Sequence, residues 1–179
     1  MRKILVGLII MVSAFIAFSP APAQAQAQVT AKDVQVAARV LNFTATPFTG
    51  NVKLGIVYDP SVAASAADEA ALAGILGSGL TVGSINLVPV PVPIAKLSST
   101  PVDVLFLTSG LGAAGAAVGT QAASAKQLCI TTDTAATAAG DCAVSVQSDP
   151  KVQITVNKAS ASATGVSFAS AFLMMVTEI

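Results

Sequence analysis

The chain has 179 residues, of which 54% are hydrophobic and only 10% charged, and it contains two cysteines and no histidine. Without histidine, a nucleophilic serine lacks its usual base, and two cysteines do not complete the common zinc sites. Outside the first 27 residues there are seven basic and nine acidic residues, a net charge of −2, which disfavours nucleic-acid binding. No pattern in the sequence points to catalysis, and we expect a protein that is not an enzyme.

The first 27 residues have the pattern of a secretory signal peptide. Arg2 and Lys3 form a positive start, an apolar run extends from Ile4 to Phe18, and overlapping A-x-A cleavage motifs follow. No later apolar run reaches the roughly 18 residues of a membrane span. We therefore expect a periplasmic protein with no integral membrane segment after cleavage, its residues 28–179 forming one domain.

The first part of this domain predicts a helix, a strand and a second helix. The first helix begins at Ala31 with Thr30 as its N-cap, and a β-branched strand spans Val52 to Tyr58. An Ala-rich helix starts near Ser61 and ends among glycines. We expect its two adjacent acidic residues, Asp68 and Glu69, to face solvent.

A proline-spaced segment follows this helix. Leu80 to Val88 predicts a strand, and prolines then occupy every second position, at 89, 91 and 93. Because proline lacks a backbone donor, this pattern favours an edge strand or a polyproline-like segment. Four apolar side chains of this segment either form a patch for a partner or a second copy, or pack on the domain's own core: Val88, Val90, Val92 and Ile94.

The rest of the chain alternates strands and helices and then forms a hairpin. The predicted elements are a short turn of helix at Ile94–Leu97, a buried central strand at Val102–Leu107, a helix at Leu111–Ala125, a strand at Gln127–Thr132, hairpin strands at Cys142–Val146 and Val152–Val156, and a last helix at about Gly165–Met175. This order predicts a single-domain layered α/β sandwich with a mixed sheet.

The two cysteines, Cys129 and Cys142, favour a disulfide in an exported protein. The alternative is a pair of buried free thiols. Neither cysteine belongs to a C-x-x-C motif, so thiol redox catalysis lacks its usual signature.

A glycine-rich segment matches a dinucleotide-binding pattern. Gly110, Gly112 and Gly115 form G-x-G-x-x-G between a predicted strand and helix, and Asp133 ends the next strand. In a chain so rich in alanine and glycine we interpret this as a tight turn and expect no cofactor. A small anion at the helix N-terminus remains an alternative, bound by Thr108, Ser109 and Gly110.

The order of these segments resembles the YfiR-like family of bacterial periplasmic proteins. The segments that carry the resemblance are Ala37–Phe43 with Pro47, Val52–Val57 before Asp59-Pro60, Val102–Leu107, Gln127–Asp133 with Gly140, Ile154–Asn157, and Thr164-Gly165 through to Phe172-Leu173. The resemblance implies a non-enzymatic regulator that binds the periplasmic domain of an inner-membrane sensor or diguanylate cyclase, often as a homodimer.

Two other functions stay open from the residues alone. A periplasmic small-ligand or anion-binding protein would use the ends of the parallel strands. A structural exported protein would account for the surface rich in alanine, threonine and serine.

Overall fold

Eight strands form one mixed sheet with helices on both faces, in a computed structural model that describes residues 28–179. The helices are α1 (Ala31–Leu41), α2 (Ala63–Leu76), α3 (Gly115–Ala125), α4 (Thr134–Ala139), α5 (Lys158–Thr164) and α6 (Ser170–Leu173), with 3₁₀ helices at Ile94–Ser99 and Gly112–Ala114. The strands are β1 (Gly50–Tyr58), β2 (Leu80–Val82), β3 (Ile85–Pro93), β4 (Val104–Leu107), β5 (Leu128–Thr131), β6 (Val144–Gln147), β7 (Gln153–Val156) and β8 (Thr177–Glu178).

The strand order is β2-β3-β1-β4-β5-β6-β7-β8. The five neighbouring strands β3, β1, β4, β5 and β6 run parallel to one another. Strand β2 is antiparallel to β3, and β7 is antiparallel to β6. The predicted α/β fold with a mixed sheet and an antiparallel hairpin is thereby confirmed.

The first helix begins as the sequence predicts. Thr30 accepts a hydrogen bond from the Asp33 backbone N–H, while the Asp33 carboxylate accepts one from the Thr30 N–H at 2.9 Å. This reciprocal capping satisfies donors that the first turn leaves unpaired. It also places Asp33 beside the start of the helix, where the helix dipole favours a negative charge.

The centre of the sheet is β4, whose four residues are all buried, as expected of a strand covered on both faces. Val104 and Phe106 pack into the core beneath α1 and α2, and Leu105 and Leu107 pack into the core beneath α3. This alternation follows from the two-residue period of a strand.

The proline-spaced segment is only partly as predicted, since the expected strand from Leu80 is a short hairpin of β2 and β3. Beyond Leu87 the outer side of β3 has no neighbouring strand, so the predicted edge is confirmed there. Val92 is fully buried, and Val90 and Ile94 pack on the same core beneath α3, with Val88 half-buried. The four side chains therefore do not form an exposed patch, and Val92 is not accessible to a partner.

Two parts of the C-terminal half differ from the prediction. Asp133 accepts hydrogen bonds from the backbone of the next helical turn and starts α4, in a polar stretch for which no element was predicted. The last helix was predicted over about 165–175, but Asn157 caps α5 much earlier and Gly165, at φ 71°, ends it. The caps at Asn157 and Gly165 thus decide where α5 begins and ends. The apolar residues 166–175 form only the short helix α6.

The cysteines form the predicted disulfide. Cys129 lies on β5 and Cys142 just before β6, with their Cα atoms 4.8 Å apart and both residues buried. Among the described helices, none has both the length and the apolar character needed to cross a membrane. The predicted signal peptide, residues 1–27, lies outside the described residues.

Candidate functional site

The chain reverses its direction of winding between two neighbouring strands. After β1 it passes through α2 to β3 on one side, and after β4 it passes through α3 to β5 on the other. The loops after β1 and β4 therefore diverge at the carboxyl edge of the sheet. Such a switch point leaves a crevice, and it is where open α/β sheets commonly bind ligands.

The floor of this crevice is a buried polar network between α2 and the end of β4. The Thr108 hydroxyl contacts the Val57 carbonyl at 2.8 Å and the Ser65 hydroxyl at 2.6 Å. The backbone N–H and the hydroxyl of Ser109 donate to Asp68 Oδ2 at 2.9 and 2.6 Å. These bonds tie the loop after β4 to α2.

The prediction that Asp68 faces solvent is wrong. Its side chain is only 3% exposed, because Ser65 and Asp68 lie one turn apart on the face of α2 that meets Thr108 and Ser109. Glu69, the next residue, is half-buried. An acidic residue in an Ala-rich helix could not be assigned to this face without knowing where the helix docks.

The same network disfavours the predicted anion site. The hydroxyls of Thr108 and Ser109 already have protein partners, and the Asp68 carboxylate beside Ser109 would repel an anion. Gly110 is exposed and has φ 77°, a conformation that serves the turn after β4.

A cleft of about 350 Å³ extends from Ser109 over the carboxyl ends of β5 and β6. One wall is the start of α1, which contacts the turn after β6: the Lys32 ammonium donates to the Ser148 carbonyl at 2.8 Å, and the hydroxyls of Thr30 and Ser148 lie 3.4 Å apart. The lining residues are Gln28, Thr30, Asp33, Ser109, Thr132, Asp133, Thr134, Val146, Gln147, Ser148 and Asp149.

The charges of this lining are negative. Asp33, Asp133 and Asp149 are acidic, and no lining residue in the described part of the chain is basic. Beyond the cleft, burial and then the charge of Asp133 raise the pKa of Asp141. Each of the three acidic lining residues follows a strand or starts a helix, which places all three at this edge of the sheet.

The glycine-rich segment has a packing role. A Cβ on Gly115 would lie 2.9 Å from the Asp141 carboxyl carbon, and one on Gly119 would lie 2.9 Å from the Gly140 carbonyl oxygen. Helix α3 therefore needs glycine at position 119, where the neighbouring atoms are backbone, to approach the segment 140–141, whereas at position 115 the Asp141 side chain would have to move. Asp133, which the motif would assign to a ribose, instead caps α4.

Other sites in the described residues offer less. A cavity of about 220 Å³ between α3 and α5 is lined mainly by small residues, and one of about 270 Å³ lies where residues 44–48 meet 165–167. In the described part of the chain no group of three or more histidine, cysteine or acidic residues is placed to hold a metal ion.

Of the residues that line the cleft, only Ser109 was predicted from the sequence to bind a ligand. Asp133 was predicted to end a strand, and Asp149 lies between the two predicted hairpin strands, so both follow strands at the same edge. Their position after strand ends was a usable signal. The contribution of Thr30 and Asp33 depends on where α1 docks, which no local pattern indicates.

Comparison with known proteins gives similarity in fold. No protein-family model matches the chain, and no curated protein matches it. Among solved structures, a conserved domain protein from Vibrio cholerae O1 biovar El Tor strain N16961 aligns with a TM-score of 0.57 and 16% identity, over 83% of this chain and 59% of that one. The ABC domain in complex with L-Trp from Streptococcus pneumonia aligns with a TM-score of 0.54 and 13% identity, over 82% of this chain and 61% of that one.

At these identities the likeness shows the fold alone. The chain spans about three fifths of the length of either structure. The resemblance to YfiR-like proteins stays a prediction.

Proposed function

We propose that the protein is a periplasmic binding protein for a small ligand, which it holds in the cleft at the carboxyl edge without chemical turnover. The observation that carries this proposal is the position of the cleft, which adjoins the switch point at Ser109 and opens over the carboxyl ends of β5 and β6. Its volume of about 350 Å³ lies within the usual range for ligand sites, roughly 300–1,000 Å³. The complex of a similarly folded domain with L-Trp supports a role in small-molecule binding.

The construction of the cleft also supports binding. Several elements converge on it: the start of α1, the loop after β4, the start of α4 and the turn after β6. The hydrogen bonds of Ser109 to Asp68 and of Lys32 to Ser148 hold two of these segments in place. A site held in this way loses little conformational entropy when a ligand binds.

The test is a thermal-unfolding screen of the exported, processed protein against a panel of neutral, cationic and anionic small molecules. A ligand present at 100 times its Kd stabilises a protein by about 2.7 kcal/mol, which raises Tm by several degrees. Thr132→Tyr narrows the cleft and should abolish the shift. Thr120→Tyr, on the exposed side of α3, should retain it. If no compound raises Tm, the proposal is wrong.

A second candidate is the interaction module that the YfiR-like resemblance implies. Met174 and Met175 are 83% and 69% exposed, and the nearby Phe43 ring stacks on Phe172 at 5.0 Å and is itself partly exposed. Exposed apolar side chains of this kind suit a protein partner.

This candidate predicts a defined cross-link in the periplasm. An inner-membrane sensor or diguanylate cyclase should cross-link to the natural protein and not to Met174→Asp/Met175→Asp. Val152→Asp, which alters another exposed apolar residue, should retain the cross-link. A cross-link that survives the double substitution would exclude this surface.

A further inference from the structure

We infer that the three prolines of β3 prevent a second copy of this chain from adding a strand to the sheet. An edge strand normally exposes a row of unpaired N–H and C=O groups, with which a strand of another molecule can pair. We call the side of β3 that faces away from β1 the outer edge. Pro89, Pro91 and Pro93 leave this outer edge with acceptors and without donors. The inference is independent of the proposed binding function.

The hydrogen bonds of β1 show which way its backbone groups face. The Gly50 N–H donates to the Ser84 carbonyl, just before β3, at 2.9 Å. The carbonyls of Lys53 and Val57 instead accept from the residues that flank β4. Along a strand, successive residues direct their N–H and C=O groups to opposite sides. The even-numbered residues of β1 therefore face β3, and the odd-numbered ones face β4.

The register of the two strands then assigns the sides of β3. Leu54, which faces β3, lies opposite Pro89. In a parallel pair, a residue that faces its partner strand bonds to the residues on either side of the one opposite. Val90 therefore directs its N–H to β1, and the same pattern repeats two residues further along. Each of the three prolines faces the outer edge, where its ring replaces the N–H that an added strand would need.

The outer edge is unpaired where the prolines lie. Strand β2 pairs with β3 from Ile85 to Leu87, ahead of the first proline. Beyond Leu87, no strand within residues 28–179 pairs with this side of β3. Pro91 is exposed, and Pro89 and Pro93 are half-buried. A strand of another molecule can therefore approach this part of the sheet, and the missing donors deny it a ladder of hydrogen bonds.

Apart from its prolines, this segment has the composition of a strand that aggregates. No charged residue lies between Ile85 and Ile94, and the valines at 88, 90 and 92 favour extended structure. Uncharged segments of high β-propensity pair readily between molecules when they lack proline. Because proline occupies only the positions that face outward, β3 loses outward donors and keeps its donors to β1. The spacing thus protects the edge without weakening the sheet.

The experiment restores the outward donors in the exported, processed protein by Pro89→Thr/Pro91→Thr/Pro93→Thr, which we call the edge variant. Threonine suits a strand and carries the N–H that proline lacks. Size-exclusion chromatography with light scattering, over a series of concentrations, should show that the edge variant at least doubles the molar mass of the natural protein. Hydrogen–deuterium exchange of segment 85–94 should become slower in the associated form, because its outward N–H groups are then bonded between copies.

Two comparisons separate pairing from a loss of structure. The control variant, Pro47→Thr/Pro60→Thr/Pro101→Thr, makes the same change at three exposed prolines outside the strands, and it should leave the molar mass unchanged. Val90→Pro removes an N–H that faces β1, so it should lower the urea midpoint of unfolding. Pro91→Thr, at the neighbouring position that faces outward, should change this midpoint much less.

Every outcome supports or overturns the inference. Association of the edge variant with slower exchange in segment 85–94, and no association of the control variant, supports it. A folded edge variant that keeps the natural molar mass overturns it, as does association without slower exchange in this segment or equal association of the control variant. If the edge variant does not fold, Pro91→Thr alone provides the same comparison at higher protein concentration. Equal urea midpoints for Val90→Pro and Pro91→Thr would overturn the assignment of sides.

Discussion

At the scale of single residues, Asp68 joins helix α2 to the loop that starts the cleft. Its carboxylate is buried and accepts two hydrogen bonds from Ser109. A buried carboxylate is tolerable when it is hydrogen-bonded, and these bonds are strong because the acceptor is charged. The position of Ser109 therefore depends on a residue of helix α2 that lies 41 positions earlier in the chain.

We expect Asp68→Ala to lower the free energy of unfolding by about 2–3 kcal/mol, because two donors of Ser109 are left unpaired in a buried site. Urea unfolding measures this loss. Glu69→Ala is the matched control, since it removes an acidic side chain from the same helix, and its effect should stay within about 0.5 kcal/mol. Equal effects of the two substitutions would contradict the role assigned to Asp68.

A second residue-scale prediction concerns Asp141, whose pKa is raised by burial and by the charge of Asp133. The folded protein then binds more protons than the unfolded chain between the ordinary value of 3.8 and the raised pKa. The free energy of unfolding should therefore fall as pH rises through that window. Asp141→Asn should remove this part of the pH dependence, as measured by urea unfolding at a series of pH values.

Asp59 provides the opposite case as a control. Hydrogen bonds from the Ser61 hydroxyl and N–H lower its pKa. Its contribution to stability is present above 3.8 and is lost as pH falls through the lowered pKa. If Asp141→Asn leaves the pH profile unchanged, or changes it in the direction expected for Asp59, the assignment is wrong.

At the scale of elements, the close approach of α3 to the segment 140–141 depends on glycine. Gly115 and Gly119 lie one helical turn apart and face the same segment. This packing positions α3 over β5, where Val118 and Ala122 belong to the core that contains the disulfide. The glycine pattern thus has a structural explanation within the fold.

We expect Gly119→Ala to destabilise the protein by about 1–3 kcal/mol, because its Cβ meets backbone atoms of residues 140 and 141. Gly74→Ala is the matched control on helix α2, where a Cβ meets nothing within 4 Å. That change should stabilise the protein by up to about 1 kcal/mol through better helix propensity. Thermal unfolding of both variants measures these changes in stability. If Gly119→Ala leaves the stability unchanged, the close contact between α3 and residues 140–141 is excluded.

At the scale of the whole molecule, the disulfide links the two ends of the segment that contains α4. Cys129 and Cys142 are 13 residues apart, and the segment between them includes Thr132, Asp133 and Thr134 of the cleft. A cross-link that closes a loop of this length reduces the conformational entropy of the unfolded chain more than that of the folded one. It therefore stabilises the segment that forms one side of the cleft.

Reduction of the bond should lower the free energy of unfolding by about 3 kcal/mol, the value expected for a loop of this length. Urea unfolding with and without a thiol reductant measures the difference. The double variant Cys129→Ala/Cys142→Ala should not respond to the reductant. If the natural protein is equally stable under both conditions, the disulfide has no stabilising role.

Much of the fold was predictable because its signals are local. The capping of α1 by Thr30, the buried run of β4, the hairpin of β6 and β7 and the cysteine pairing all follow from neighbouring residues and from composition. Two helix predictions failed where a capping side chain decides the start of the helix, at α4 and α5. There one or two side-chain hydrogen bonds decide the helix, and hydrophobic periodicity does not report them.

The sequence by itself determined helices α1, α2 and α3, strands β1, β4 and β5 and the hairpin of β6 and β7, because periodicity, caps and turn residues act over a few positions. Only the tertiary structure decided that α2 buries Asp68 against Ser109, that Val92 belongs to the core, and that Thr30 and Asp33 face Asp149 across a cleft. Those relations join residues far apart in the chain. They depend on which strands become neighbours and where the winding reverses, and that choice is made by packing the whole sheet.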